Sequence, residues 1–298
     1  MNVLLGEFFA LLTAACWAQN SIVYSFAGRR VGSPTVTHIR LWIALPAITI
    51  VHLAFTGMAI PHQVPPLSLS YLLASGFVGF FLADLFIFRA FVEVGPRETL
   101  VVLTLSPIFA AVISWFTLDE RLAILQITGI ALTIAGVIWL ILAESKNPSR
   151  REKPKQTGVV FAFLGAFSQA VGMVLAKEGI VTGIHPISAN FLRISAGFIG
   201  LVIFTLARGQ FKQDFQKMGD RRALLLITSG ALIGPVLGII LTLYALSMAP
   251  VGVVTTIMQT SPIMLLPVDR FVFKKHITVG ALVATFLAIC GAMLLFIA

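Results

Sequence analysis

Two Ser-Pro pairs, Ser106-Pro107 and Ser261-Pro262, stand 155 residues apart, each inside a long apolar run. A helical proline has no N–H for the carbonyl four residues earlier, so Leu103 and Met258 are left with free carbonyl oxygens. Bare backbone of this kind is tolerated at membrane depth only where it faces protein or a water-filled cavity. The chemistry it offers is recognition, not bond making. Thr255 and Gln259 share a face with Pro262 at i, i+4 and i+7. A second polar stripe, Thr13, Trp17, Asn20 and Tyr24, recurs at helical spacing. At a shift of 152 residues it is matched by Gly165, Gln169, Gly172 and Ala176. One half supplies aromatic bulk and the other supplies space beside Gln169. Together with Ser106, Tyr244, Met258 and Gln259, these residues would line a cavity for a ligand with a side chain, an amine and a carboxylate. Helix–helix packing is the competing expectation.

Three charges fall where charge is costly. Arg40 lies six residues, roughly 9 Å, from one end of its apolar run, and Asp84 eight residues, roughly 12 Å, from the same side. The matched depths predict a structural Arg40–Asp84 ion pair, with a proton-coupling or substrate-amine role for Asp84 as the alternative. Arg193 corresponds to Arg40, but the residue corresponding to Asp84 is Ile239. Arg193 is therefore expected either to cap backbone carbonyls or to meet a substrate carboxylate.

Nothing else suggests covalent chemistry. His38, His52, His62, His185 and His276 are scattered, and Cys16 and Cys290 stand near opposite ends of the chain. No metal cluster, nucleophilic triad or phosphate-binding loop is present, so neither a metal nor another cofactor is expected.

The elements that must position these residues are membrane helices. The chain is 58% hydrophobic and 11% charged, with a mean hydropathy of +0.98. A soluble domain of this size carries about 25% charged residues. Ten apolar windows can each cross about 30 Å of hydrocarbon: 4–26, 34–56, 68–92, 97–118, 122–143, 158–179, 187–207, 223–247, 251–272 and 277–297. Sixteen of the 21 Lys and Arg gather on the side opposite the N-terminus. That side is expected to be cytoplasmic, with both termini external. The basic pI reflects these loops rather than nucleic-acid binding.

The two halves repeat. Gly6-x-x-Phe9-Ala10-x-Leu12-x-Ala14 returns as Gly158-x-x-Phe161-Ala162-x-Leu164-x-Ala166, and Gly129 and Gly136 return as Ala284 and Gly291. The seven-residue spacing of the latter sets suits close packing of the fifth and tenth spans. A five-span repeat is odd-numbered, so its second copy enters the membrane upside down. The expected fold is an all-α membrane protein of ten transmembrane helices in two inverted five-helix repeats. Residues 1–143 form the first repeat, 144–156 a cytoplasmic linker and 157–298 the second.

The stretch Pro107 … Asp119-Glu120-Arg121-Leu122 … Gln126-x-x-Gly129 … Ala135-Gly136-Val137 resembles the end of an EamA domain, the repeat unit of the drug/metabolite transporter superfamily. Nearly the whole chain resembles two tandem EamA units, most like the YddG-type exporters of aromatic and other amino acids. The second copy departs from the pattern, with Lys275 where the first has Glu120. The glutamate midway along the first helix of the small multidrug relatives is also absent, since that region reads Leu11-Leu12-Thr13. The resemblance implies export of amino acids or related small metabolites across the cell inner (plasma) membrane by alternating access. Multidrug or organic-cation efflux is the alternative. A small-molecule substrate and membrane lipids are the expected partners, nucleic acid is not, and a monomer is compatible with the sequence.

Overall fold

The computed structural model describes residues 3–93, 99, 102–143, 156–261, 263–264 and 279–297. The described residues are helical wherever they are regular, as a hydrocarbon environment demands of a chain with no closed barrel. Among the described residues ten apolar helices follow in order. They are α1 (Val3–Val31), α2 (Ser33–Thr56), α3 (66–93), α4 (Ser106–Thr117), α5 (Ile124–Ala143), α6 (Gln156–Val181), α7 (Pro186–Ala207), α8 (Arg221–Met248), α9 (Val251–Met258) and α10 (Val279–Ile297). Six of these are long and apolar enough by themselves to cross a membrane, and the rest are shorter. The fold is that of a multi-pass, all-α membrane protein.

Punctuation in the sequence sets the helix ends. Gly57, left-handed at φ 73°, closes α2 by giving its N–H to Leu53 O. His185 caps α7, its ring nitrogen accepting from Ile187 N, with Pro186 at the first position. Asp220 caps α8 through the N–H groups of Arg222 and Ala223. Two details differ from the sequence expectation. α1 continues through Arg29 and Arg30, whose charge suits a helix C-terminus, rather than releasing them to a loop. The polar stretch after α7 also contains a short helix, Phe211–Gln216, whose aromatic side chains dock on Trp42 of α2.

The repeats are intertwined. α1 packs along α8, and its counterpart α6 packs along α3, so each half lends its first helix to the other half's third. The remaining pairs join equivalent helices: α2 with α7, α4 with α9 and α5 with α10. All three pairs are antiparallel. His52 bonds Ser188 while Trp42 meets Phe198 edge to face. Gln259 reaches Leu103 while Gly252 meets Ala111. Gly136 meets Ala288 while Gly129 meets Leu295. Equivalent helices running in opposite senses are what an inverted repeat requires. In the α5–α10 pair a methyl group on Gly136 would stand 2.8 Å from Ala284 O, so the backbone-to-backbone approach depends on the missing side chain.

Candidate substrate site at the broken helices

Four helices lose regular geometry at matched depths. α3 contains a π-helical turn, Phe77–Leu82, and α8 contains another, Leu232–Gly238, starting 155 residues later. The segment leading into α4 breaks at 104–105, and the helical run of α9 breaks at 259–260, again 155 apart. π turns leave backbone carbonyls without their usual partners and recur at functional positions. Here several are met by side chains. Asn190 of α7 donates its amide to Pro235 O at 2.9 Å and Val236 O at 3.2 Å. Thr242 and Thr13 both donate to Gly238 O, at 2.8 and 3.3 Å. The Leu103 carbonyl released ahead of Pro107 accepts from Gln259 Nε2 at 2.9 Å. Pro262 itself lies outside the described residues.

The polar stripe of α1 runs along the glycine-bearing face of α8. Tyr24 lies against Gly230, and Asn20 lies so close to Gly234 that a Cβ there would overlap its amide. Packing alone does not satisfy the stripe. Trp17 Nε1 and both amide atoms of Asn20 are buried without a hydrogen-bond partner. On α6, Gly165 meets Ile87 and Gly172 meets Gly79, both of α3. Gln169 stands between them on the same face, and its buried Oε1 also lacks a partner. Unpaired buried amides are rare, because a buried polar group without a partner is costly. Ser106 and Pro107 are buried at the α4 break. Met258, where α9 breaks, is buried beside the Thr242 hydroxyl, 4.0 Å from its sulfur. Tyr244 lies apart from this group, toward the N-terminal face, where its hydroxyl meets His185 Nε2 at 3.2 Å and its ring meets Phe9.

The two related arginines have different surroundings. Arg40 Nη2 is ion-paired with Asp84 Oδ2, and its guanidinium carbon stands 6.0 Å from the Tyr24 ring centroid. Arg193 is 1% exposed and lies over the Phe80 ring at 5.4 Å. Its Nε and Nη1 have no hydrogen-bond partner, and among the described residues no carboxylate pairs with it.

Each end of the molecule carries a polar clasp. On the N-terminal face Lys177 is ion-paired with Glu120 and donates to Ala249 O at 2.7 Å, while Glu120 accepts from Val251 N at 2.8 Å. On the opposite face, His38 accepts from Trp42 Nε1 and donates through Nδ1 to Asp214 at 2.9 Å. Thr35 donates to the other Asp214 oxygen at 2.7 Å. Arg30 pairs with Asp220 there as well, at 2.7 Å. The Arg30 hydrogen bond, helped by the Ala223 N–H, holds the Asp220 carboxyl below the usual carboxylate range.

The sequence reading missed the π turns and Asn190. The available signals were Gly79 and Gly234, at the same 155-residue spacing, and the Gly234-Pro235 dipeptide inside an apolar run. Among the described residues no cluster of three or more His, Cys, Asp or Glu side chains could hold a metal ion.

No curated protein sequence matches the chain closely enough to compare. A solved crystal structure, 17% identical in sequence, superposes with a TM-score of 0.74 over 97% of this chain and 95% of its own, a likeness of fold alone. The model of the EamA-like transporter family matches residues 4–142 and again 156–297, the two halves found by internal spacing. The broken helices and their unpaired amides thus sit inside a repeat whose family is one of membrane transporters: the chain belongs to the EamA-like transporter family.

Proposed function

We propose that this transporter exports aromatic or other hydrophobic amino acids, or related small metabolites, across the plasma membrane by alternating access. The supporting observation is the set of buried polar atoms without partners, Trp17 Nε1, the Asn20 amide and Gln169 Oε1, beside paired helix breaks. An amphipathic zwitterion suits this mixture, its side chain meeting aromatic and Met surfaces and its polar end meeting amides and freed carbonyls. The Glu120–Lys177 clasp and the His38–Asp214 contact stand at opposite ends, where opening and closing would have to occur. Substrate and lipids are the partners of this function; it calls for no cofactor.

Multidrug or organic-cation efflux is the second reading, and one observation favours it. Glu7 of α1 is 1% exposed, and its Oε2 has no hydrogen-bond partner, so a buried acid is available to a cation. Counterflow by the purified chain in proteoliposomes separates the two. Accelerated uptake of labelled phenylalanine into vesicles preloaded with unlabelled phenylalanine supports amino acid transport. Counterflow of a quaternary ammonium dye with none of phenylalanine would replace it with the cation reading. Repeating the assay with an imposed pH gradient tells whether protons are coupled.

A further inference from the structure

The inverted repeat places two arginines in corresponding positions, and among the described residues only one of them has a carboxylate partner. In the first half Asp84, two residues past the π turn of α3, pairs with Arg40. In the second half the residue 155 positions later is Ile239, directly after the π turn of α8, and it is buried and apolar. Arg193 is buried with two guanidinium nitrogens unpaired, and among the described residues no carboxylate pairs with it. A fixed cation at this depth is costly unless an anion joins it for part of the working cycle.

Its surroundings enclose the guanidinium without pairing it. The Phe80 ring supports one side of it. Gly79 of α3 lies beside the charged head, where an added methyl group would touch Arg193 Nη2 at 3.6 Å and Gly172 Cα at 3.8 Å. On α6, Gly172 packs against the same Gly79. Gly79 also lies inside the π turn, the part of α3 with the least regular backbone. We propose that Arg193 is the carboxylate-recognition residue of the transport site. The carboxylate of a small amphipathic acid would take the place in the second half that Asp84 fills in the first. This proposal rests on the amino acid reading given above and names the group that the protein recognises.

The test uses the full chain in proteoliposomes, with labelled phenylalanine as the transported probe. Three competitors are compared: 3-phenylpropionate, which keeps the carboxylate, and phenethylamine and phenylalanine amide, which lack it. The unmodified protein should be inhibited by 3-phenylpropionate on the order of tenfold to a hundredfold better than by the other two, as expected for a charged hydrogen bond. Arg193→Gln should erase that preference, and Arg193→Lys should keep part of it. Ile239→Asp should supply the missing internal partner, so that carboxylate uptake falls on the order of tenfold or more while folded yield is retained. If Arg193→Gln does not fold, Arg193→Lys and Ile239→Asp decide the matter. An undiminished preference in Arg193→Gln or in Arg193→Lys, or unchanged uptake by Ile239→Asp, overturns the proposal while leaving amino acid transport standing. An unmodified protein that carries no phenylalanine overturns the amino acid reading and this proposal with it.

Discussion

Gln259 Nε2 donates to the carbonyl oxygen of Leu103 at 2.9 Å, so the break in one repeat is closed by a side chain from the break in the other. The two breaks therefore support each other across the α4–α9 contact. Truncation to Gln259→Ala strands the carbonyl, and a buried unpaired acceptor costs about 1–3 kcal/mol. The thermal midpoint of the detergent-solubilised variant should fall, with Gln259→Glu, which cannot donate when ionised, falling at least as far. An unchanged midpoint in both would mean that the carbonyl finds another donor.

The polar stripe can be tested through transport. Trp17→Ala and Gln169→Ala should each weaken uptake into inverted vesicles about fivefold to a hundredfold, with folded yield unchanged. Phe286→Ala, on an outward-facing surface of α10, is the control. Equal loss in the control, or none in the two site variants, would leave the stripe as helix packing.

Close packing at Asn20 gives a sharper structural test. Gly234→Ala should destabilise the protein by about 1–3 kcal/mol, since overpacking forces neighbours to shift. The obstructing group is the Asn20 amide, so Asn20→Ala should recover most of that loss in the double variant. Additive losses would show that α1 and α8 do not meet there.

For the Arg40–Asp84 pair, Asp84→Asn and Arg40→Gln should each lower folded yield, because either change strands a buried charge or leaves its partner unneutralised. The double variant should regain part of the loss, measured as a coupling between the two substitutions. Strictly additive effects would mean that the contact carries no energy.

Outside the membrane the pH response has a definite sign. The Asp220 carboxyl is held below its ordinary value, chiefly by Arg30, so its contribution to stability is present above the unfolded-state value and disappears as pH falls through the folded-state value. Thermal midpoints measured from pH 7 downward should decline on acidification, and Asp220→Asn should flatten that decline. An identical acid limb in the variant would assign the response to another group.

Much of the architecture was legible because membrane helices announce themselves. Hydropathy located the spans, and the 152- and 155-residue spacings related their contents. The matched depths of Arg40 and Asp84 put the two within reach of each other. The released carbonyl of Leu103 followed from Pro107 alone; the identity of its donor did not, because Gln259 arrives from another helix 156 residues away. The π turns were hidden for a different reason. A slip in the hydrogen-bond ladder leaves no mark on composition, and α3 acquires its turn with no proline in it. Nor could periodicity say that the stripe of α1 faces α8. A helical stripe tells which residues share a face, not which helix covers it.

The crossing of α1 onto α8 and of α6 onto α3 bears on how the chain is made. When the first five helices have left the ribosome, α1 has no α8 to cover Asn20 and Tyr24, and the glycine face of α3 still awaits α6. Neither half holds its own complement, so synthesis must hold the first half open until α8 is inserted. The repeat behaves in biogenesis as one indivisible unit, although its sequence reads as two.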